Sequence, residues 1–316
     1  MIFENFMISI VEQIHRTGYE AFIVGRSIAY KILEKPTEEY EIFTSAPLFS
    51  IPKYKKEKRS QDKIVIEEFY KKVTIFSGED LNGFLKKYNF VFEQLAYHLH
   101  HGIMDNFSAL EEIEQRKITL NSSRKNPLPP ICFFEAIYLC NFLNFTMDYT
   151  LENQLKTIDV IPLKNSKDLI SKFLLLNTPG SICKAYPVLS KTLFHTVEEQ
   201  SLKLLDYLKA DVILRLTCLL KDQAETGIER LIDWGYDRTT REQVSLLLEW
   251  LSFPLHENSI VEFIQQKTPL FIKNWFSIKR AECLLDGNEL LEIHRLDQLE
   301  RCALEELKKR EEKFKK

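Results

Sequence analysis

Glycine is unusually scarce in this chain. Nine glycines among 316 residues amount to well under half of the ~7% share typical of proteins. Loops that cradle phosphates depend on glycine, because a residue without a Cβ atom lets the backbone approach the ligand closely. The chain therefore has little material for a glycine-rich nucleotide-binding loop.

Long apolar runs and paired cysteines are missing as well. No apolar run approaches the roughly 18 residues that a membrane span needs, and the six cysteines form no Cys-x-x-Cys pair. Glu4 and Glu12 stand where a secretory signal would carry basic residues. These features predict a cytoplasmic protein with idle thiols and no membrane partner.

Apolar residues are plentiful, at 45% of the chain, and they follow two different patterns. Residues 1–120 alternate between helical stripes and short strand-like runs, which predicts an α+β region. Three prolines within Asn121–Pro130 mark a boundary, and beyond it nearly every apolar run has the period of a helix. We therefore expect an α+β head at 1–120, a helical neck at 121–190, and a helical body and tail at 191–316.

One segment of the head places two carboxylates where they can do chemistry. Glu39 and Glu41 lie two positions apart in an alternating run, so on a strand both side chains point to the same side. Two carboxylates in that arrangement can hold divalent ions for phosphoryl or nucleotidyl transfer. The alternative is that they form the solvated face of a half-buried strand, with Tyr40 and Ile42 on its other face.

The residues from Val24 to Ala46 resemble, without a gap, the head motif of the class II tRNA nucleotidyltransferases and bacterial poly(A) polymerases. That motif is Val-Gly-Gly-x-Val-Arg-Asp-x-Leu-Leu-Gly followed by Asp-x-Asp-Ile-x-Thr-x-Ala. Gly102 to Arg116 is similar to a second family motif, Gly-x-x-Asp-Pro-Phe-Gly-Gly-x-x-Asp-Leu-x-x-Arg. The resemblance implies a nucleotidyltransferase-like mixed sheet with helices, followed by an all-α neck, body and tail.

The same resemblance implies functional roles for four head residues. Gly25 and Arg26 occupy the nucleotide-binding Gly-Gly positions, and Glu39 and Glu41 occupy the positions of the two catalytic aspartates. In an active protein the two glutamates would hold Mg²⁺. Lys72 stands where the family has a third carboxylate.

Other polar positions of the family are replaced too. The family's Arg-Asp-Phe-Thr-Ile-Asn-Ala-Leu-Ala-Tyr is represented by Tyr88–Tyr97, which lacks the Arg, the Asp and the Asn. The base-selecting Glu-Asp-x-x-Arg of the neck is replaced by Leu128–Cys132, and the arginines that follow are Glu135 and Tyr138. An apolar run cannot select bases through paired hydrogen bonds.

The helical half is similar to the divergent HD-type domain of some of these enzymes. His195 and Asp222 match parts of its pattern, but Lys221 replaces the histidine of its His-Asp pair. Two residues are too few for a metal site, so we expect an HD-like remnant without metal.

Two clusters of charged or ligating residues remain. The net charge of −3 means that nucleic-acid binding needs a local basic patch, and one segment offers Lys53, Lys55, Lys56, Lys58 and Arg59. This patch is either an RNA-binding surface or a solvated loop. A second cluster, His98, His100, His101 and Asp105, fits either a metal site or a connecting loop.

Three functions are compatible with these patterns. The first is a catalytically impaired relative of the CCA-adding enzymes and poly(A) polymerases that binds RNA, such as tRNA, or a protein partner. The second is an active RNA nucleotidyltransferase that uses Glu39 and Glu41 with Mg²⁺. The third is a protein interaction module that works without RNA. No DNA partner is expected.

Overall fold

The computed structural model describes residues 3–68, 70–122, 129–194, 198–251, 268–286 and 289–314. The chain forms two compact units, Met1–Thr157 and Ile158–Lys316. The predicted end of the head at residue 120 falls inside the first unit. The division into head, neck and body stays a prediction.

A mixed sheet organises the first unit. In the described residues it has seven strands in the order β3-β4-β5-β2-β1-β6-β7. The β2–β5 pair is parallel and the other pairs are antiparallel. The strands are β1 (Ala21–Val24), β2 (Glu39–Thr44), β3 (Glu57–Arg59), β4 (Lys63–Glu68), β5 (Lys71–Ser77), β6 (Leu95–His98) and β7 (Gly102–Asp105). A separate parallel pair consists of β8 (Lys117–Ile118) and β9 (Thr146–Met147).

The first unit also contains six α-helices among its described residues. They are α1 (Asn5–Arg16), α2 (Arg26–Ile32), α3 (Leu81–Leu85), α4 (Ala109–Glu114), α5 (Ile131–Leu143) and α6 (Tyr149–Lys156). The apolar stripe of α1 is buried through Met7, Ile10, Val11 and Ile14. The expected α+β head is therefore confirmed.

The regular elements of the second unit are all helices in its described residues. Its helices are α7 (Lys167–Leu174), α8 (Pro179–Ala185), α9 (Pro187–Leu193), α10 (Glu199–Tyr207), α11 (Val212–Leu220), α12 (Ala224–Asp233), α13 (Arg238–Leu251), α14 (Pro269–Asp286) and α15 (Glu289–Phe314). Leu296, Leu299 and Ala303 of α15 share one core cluster with Trp275 and Phe276 of α14. None of the helices described here is long and apolar enough to cross a membrane.

Candidate active site

The strand β2 carries the predicted pair of carboxylates. Tyr40 and Ile42 are almost completely buried, whereas Glu39 is exposed and Glu41 is half-buried. This alternation places Glu39 and Glu41 on the same face of β2. Both the strand and the shared face agree with the sequence prediction, whereas the catalytic role of the pair stays a prediction.

Glu41 is engaged by a tyrosine. The phenol of Tyr88 donates a hydrogen bond of 2.5 Å to Oε2 of Glu41. Burial raises the pKa of Glu41, against the opposing effect of this hydrogen bond. Gly25 lies beside the pair: it has a φ of +82°, and a Cβ atom there would sit 2.5 Å from the Tyr88 oxygen and 2.9 Å from Glu41 Oε2. The phenol therefore occupies the space next to the glycine that the family resemblance assigns to nucleotide binding.

Arg26 forms an ion-pair cluster inside the first unit. Its Nε donates to Glu93 Oε1 at 2.8 Å and its Nη2 to Glu135 Oε1 at 2.6 Å, with a further short contact to Glu93. The Glu93 side chain is only 3% exposed. Burial lowers the pKa of Arg26, but the charges of Glu93 and Glu135 outweigh it and the net shift is upward. Burial raises the pKa of Glu93, against the opposing charge of Arg26.

These three residues stand at three positions where the chain departs from the family pattern. Arg26 replaces a glycine, Glu93 replaces an asparagine, and Glu135 replaces an arginine. In the fold the new cation meets the two new anions, so the replacements compensate one another electrostatically. Sequence analysis identified each departure but not their pairing.

The donor atoms around β2 do not fit a two-ion magnesium site. Mg²⁺ prefers oxygen ligands that are ionised carboxylates, phosphates or water. In the parallel register with β5, Glu39 is paired with Lys72 and Glu41 with Thr74, so an ammonium group stands on the strand position beside Glu39. Glu41 is already hydrogen-bonded, and burial favours its protonated form. Among Glu39, Glu41, Lys72 and Thr74 there is no third carboxylate to complete such a site.

The basic segment, defined as residues 53–59, includes the edge strand β3. Its four lysines are exposed, and the ammonium of Lys58 lies 3.9 Å from Glu67. Arg59 differs from the lysines, because it donates to Glu57 and to the backbone carbonyls of Leu48, Ile51 and Pro52. Arg59 thereby anchors the preceding loop, and its hydrogen bond lowers the pKa of Glu57. Edge lysines also discourage strand-to-strand aggregation.

The remaining candidates are distributed differently from the sequence prediction. Asp105 does not join the histidines: it is paired with Leu95, at the opposite end of the β6–β7 hairpin from His98. Its carboxylate accepts the backbone N–H groups of Phe107, Ala109 and Leu110, and so caps α4.

Of the two residues that predict an HD-like remnant, only Asp222 belongs to the described residues. His195 lies outside the described residues, and Asp222 is exposed. Lys221, next to it, forms an ion pair of 3.2 Å with Glu282.

Comparison with known proteins gives a clear result at the level of the fold. No family model and no curated protein sequence matches the chain. The structure of the Bacillus stearothermophilus CCA-adding enzyme in complex with CTP is similar with a TM-score of 0.66 at 16% identity, over 93% of this chain and 81% of that one. The apo form of a tRNA-processing enzyme is similar with a TM-score of 0.67 at 16% identity, over 98% of this chain and 93% of that one. A tRNA nucleotidyltransferase complexed with a primer tRNA and an ATP analogue is similar with a TM-score of 0.65 at 15% identity, over 96% of this chain and 99% of that one. The chain therefore has the fold of the class II tRNA nucleotidyltransferases.

Proposed function

We propose that this chain is an RNA-binding protein on the tRNA nucleotidyltransferase fold in which CCA addition is severely impaired. The observation that carries the proposal is the pairing of Glu41 with Tyr88 beside Gly25. Transfer needs ionised carboxylates that are available to metal ions, and this carboxylate is half-buried and hydrogen-bonded. The Arg26 cluster supports the same conclusion, because its guanidinium is already paired with Glu93 and Glu135.

The RNA-binding part of the proposal depends on the basic segment. Lysines 53, 55, 56 and 58 project from one loop and one edge strand, and clustered exposed ammonium groups bind phosphate backbones. Similar solved structures include one with tRNA_CCA and one with a primer tRNA. We therefore take tRNA as the first RNA to test.

The second candidate function is that of an active enzyme. Glu39 and Glu41 share one face of β2, which favours an active RNA nucleotidyltransferase that holds Mg²⁺ with these two residues. In this function the two glutamates would hold Mg²⁺, and the Glu41 carboxylate would have to be free of its hydrogen bond from Tyr88.

The activity test uses tRNA that lacks its terminal CCA, with Mg²⁺ and labelled CTP and ATP. The wild type is compared with a Glu39→Ala/Glu41→Ala double variant. Equal, negligible incorporation by both proteins supports the proposal. Faithful CCA addition that disappears in the double variant would refute the proposed impairment, and slow unselective incorporation that disappears would favour the second candidate.

The binding test measures the affinity for labelled tRNA as a function of salt concentration. Replacing Lys55, Lys56 and Lys58 with Ala should reduce the slope of log K against log[salt] by about 2–3. A control with Lys164, Lys209 and Lys273 replaced by Ala has the same net charge but changes exposed lysines of the second unit. Equal slopes for both variants would contradict RNA binding by the basic segment. Failure of the wild type to bind tRNA at low salt would favour a protein interaction module.

A further inference from the structure

Four of the seven histidines of the chain lie together at one end of the sheet. His15 is in the last turn of α1, His98 ends β6, and His100 and His101 form the turn into β7. The ring centroids of His15 and His98 are 5.1 Å apart, those of His98 and His100 5.5 Å, and those of His15 and His100 5.9 Å. The ring of His101 stacks on His98 at 4.6 Å.

A carboxylate completes the group. Glu20 Oε2 lies 2.8 Å from Nε2 of His98, and His15, Glu20 and His98 each offer a ligand atom within 4.8 Å of the other two. The backbone of Glu20 is fixed, because its carbonyl accepts hydrogen bonds from the Thr44 hydroxyl and the Ser45 amide. The group therefore combines side chains from α1, from the loop between α1 and β1, and from β6.

These distances suit one tetrahedral ion. With a metal–nitrogen bond of about 2.0–2.1 Å, two imidazoles around a tetrahedral ion have ring centroids about 5 Å apart. The three measured separations of the rings are at or slightly above this value. Imidazole and carboxylate in a tetrahedral arrangement favour zinc among the common divalent cations.

We propose that His15, Glu20 and His98 bind one zinc ion, with His100 as the fourth ligand after rotation of its side chain. The ion takes the position between His98 Nε2 and Glu20 Oε2, which now lie 2.8 Å apart. Binding moves the His98 proton from Nε2 to Nδ1, and Nδ1 then gives up the hydrogen bond of 3.3 Å that it accepts from the His100 amide. Zinc then links the end of α1 to the start of β1 and the end of β6. In the β1–β2 register, Ala21 is paired with Thr44 and Val24 with Glu41, so this site lies at the opposite end of these strands from Glu41.

The zinc proposal does not depend on RNA binding or catalysis, and its test measures metal directly. Untagged full-length protein is stripped with a chelator and titrated with Zn²⁺ by calorimetry, and Co²⁺ is used as a spectroscopic probe of tetrahedral coordination. The variants are His15→Gln and Glu20→Gln, each of which removes one proposed ligand. The Glu20 side chain is 67% exposed, so its replacement leaves the core intact. The matched control is His294→Gln, an exposed histidine of α15.

We expect one Zn²⁺ per chain, a higher melting temperature with Zn²⁺, and affinity at least about tenfold weaker in both variants. The control should bind as the wild type does. Absence of Zn²⁺ binding by the wild type would overturn the proposal. Binding that is unchanged in both variants would also overturn it, because the metal would then occupy another site.

Discussion

Replacing Arg26 with Met tests whether the guanidinium has a structural task. The substitution keeps most of the aliphatic volume and removes the cation that faces Glu93 and Glu135. Glu93 is 2% exposed, and its other hydrogen bond is a long one of 3.4 Å from the Phe90 amide. Removing one partner of a buried ion pair costs about 3–5 kcal/mol, so we expect a loss of that size in the free energy of unfolding.

The same variant should change the pH dependence of stability. Glu93 without Arg26 keeps its proton in the folded state to a higher pH than in the unfolded chain. The folded protein then binds more protons, so the free energy of unfolding falls as the pH rises, by up to about 1.4 kcal/mol per pH unit. Because burial already raises the pKa of Glu93 in the wild type, the variant should extend this decline to higher pH.

Urea denaturation at a series of pH values measures both effects. A second substitution, Glu93→Gln, should recover at least about half of the lost stability and remove the added pH dependence, because the buried Glu93 charge is then gone and the remaining Glu135 is partly exposed. The matched control is Arg238→Met, whose pairing with Glu242 is exposed and should leave the free energy of unfolding nearly unchanged. If Arg26→Met costs less than about 1 kcal/mol and leaves the pH profile unchanged, the structural assignment of Arg26 is refuted.

Three further substitutions probe single contacts by the same denaturation measurement. Gly25→Ala should lower the free energy of unfolding by about 1–3 kcal/mol, because φ is +82° and the new Cβ atom meets the Tyr88 oxygen. Adding Tyr88→Phe to this variant should reduce the loss. Equal stability of Gly25→Ala and wild type would contradict the geometry. Asp105→Ala removes the acceptor of three backbone N–H groups and should cost about 2 kcal/mol, with Asp105→Asn, which keeps one oxygen acceptor, losing less. Arg215→Met leaves three backbone carbonyls without their donor and should cost at least about 3 kcal/mol, whereas a cost as small as that of Arg238→Met would show that water replaces the guanidinium.

The candidate site was only partly predictable. The alternation around Glu39 and Glu41 placed both carboxylates on one face, and the structure agrees. The bond from Tyr88 to Glu41 was not predicted, because the two residues are 47 positions apart. One signal was available in the sequence: Tyr88 stands where the family has a charged arginine, at the start of a motif that keeps Phe90, Leu95, Ala96 and Tyr97.

The histidine group shows the same limit. The sequence predicts one cluster of His98, His100, His101 and Asp105, which are close along the chain. The hairpin instead carries Asp105 to its other end. His15 and Glu20 join the group only because α1 and β1 lie against the end of β6.

The sequence by itself determined the local periods and therefore the elements. A period of two made β2 a half-buried strand, and the stripe of Met7, Ile10, Val11 and Ile14 made α1 an amphipathic helix. These patterns depend on neighbours within a few positions, so a single chain is enough to reveal them.

Tertiary structure alone decided which charges meet. Arg26 contacts Glu93 and Glu135 across 67 and 109 positions, a separation at which periodicity carries no information. Removing one charge of this cluster should therefore destabilise the protein strongly. A buried charge without its partner costs several kcal/mol, whereas a surface ion pair contributes about 0–1 kcal/mol. The fold thereby converted three separate departures from a family motif into one internal ion-pair cluster.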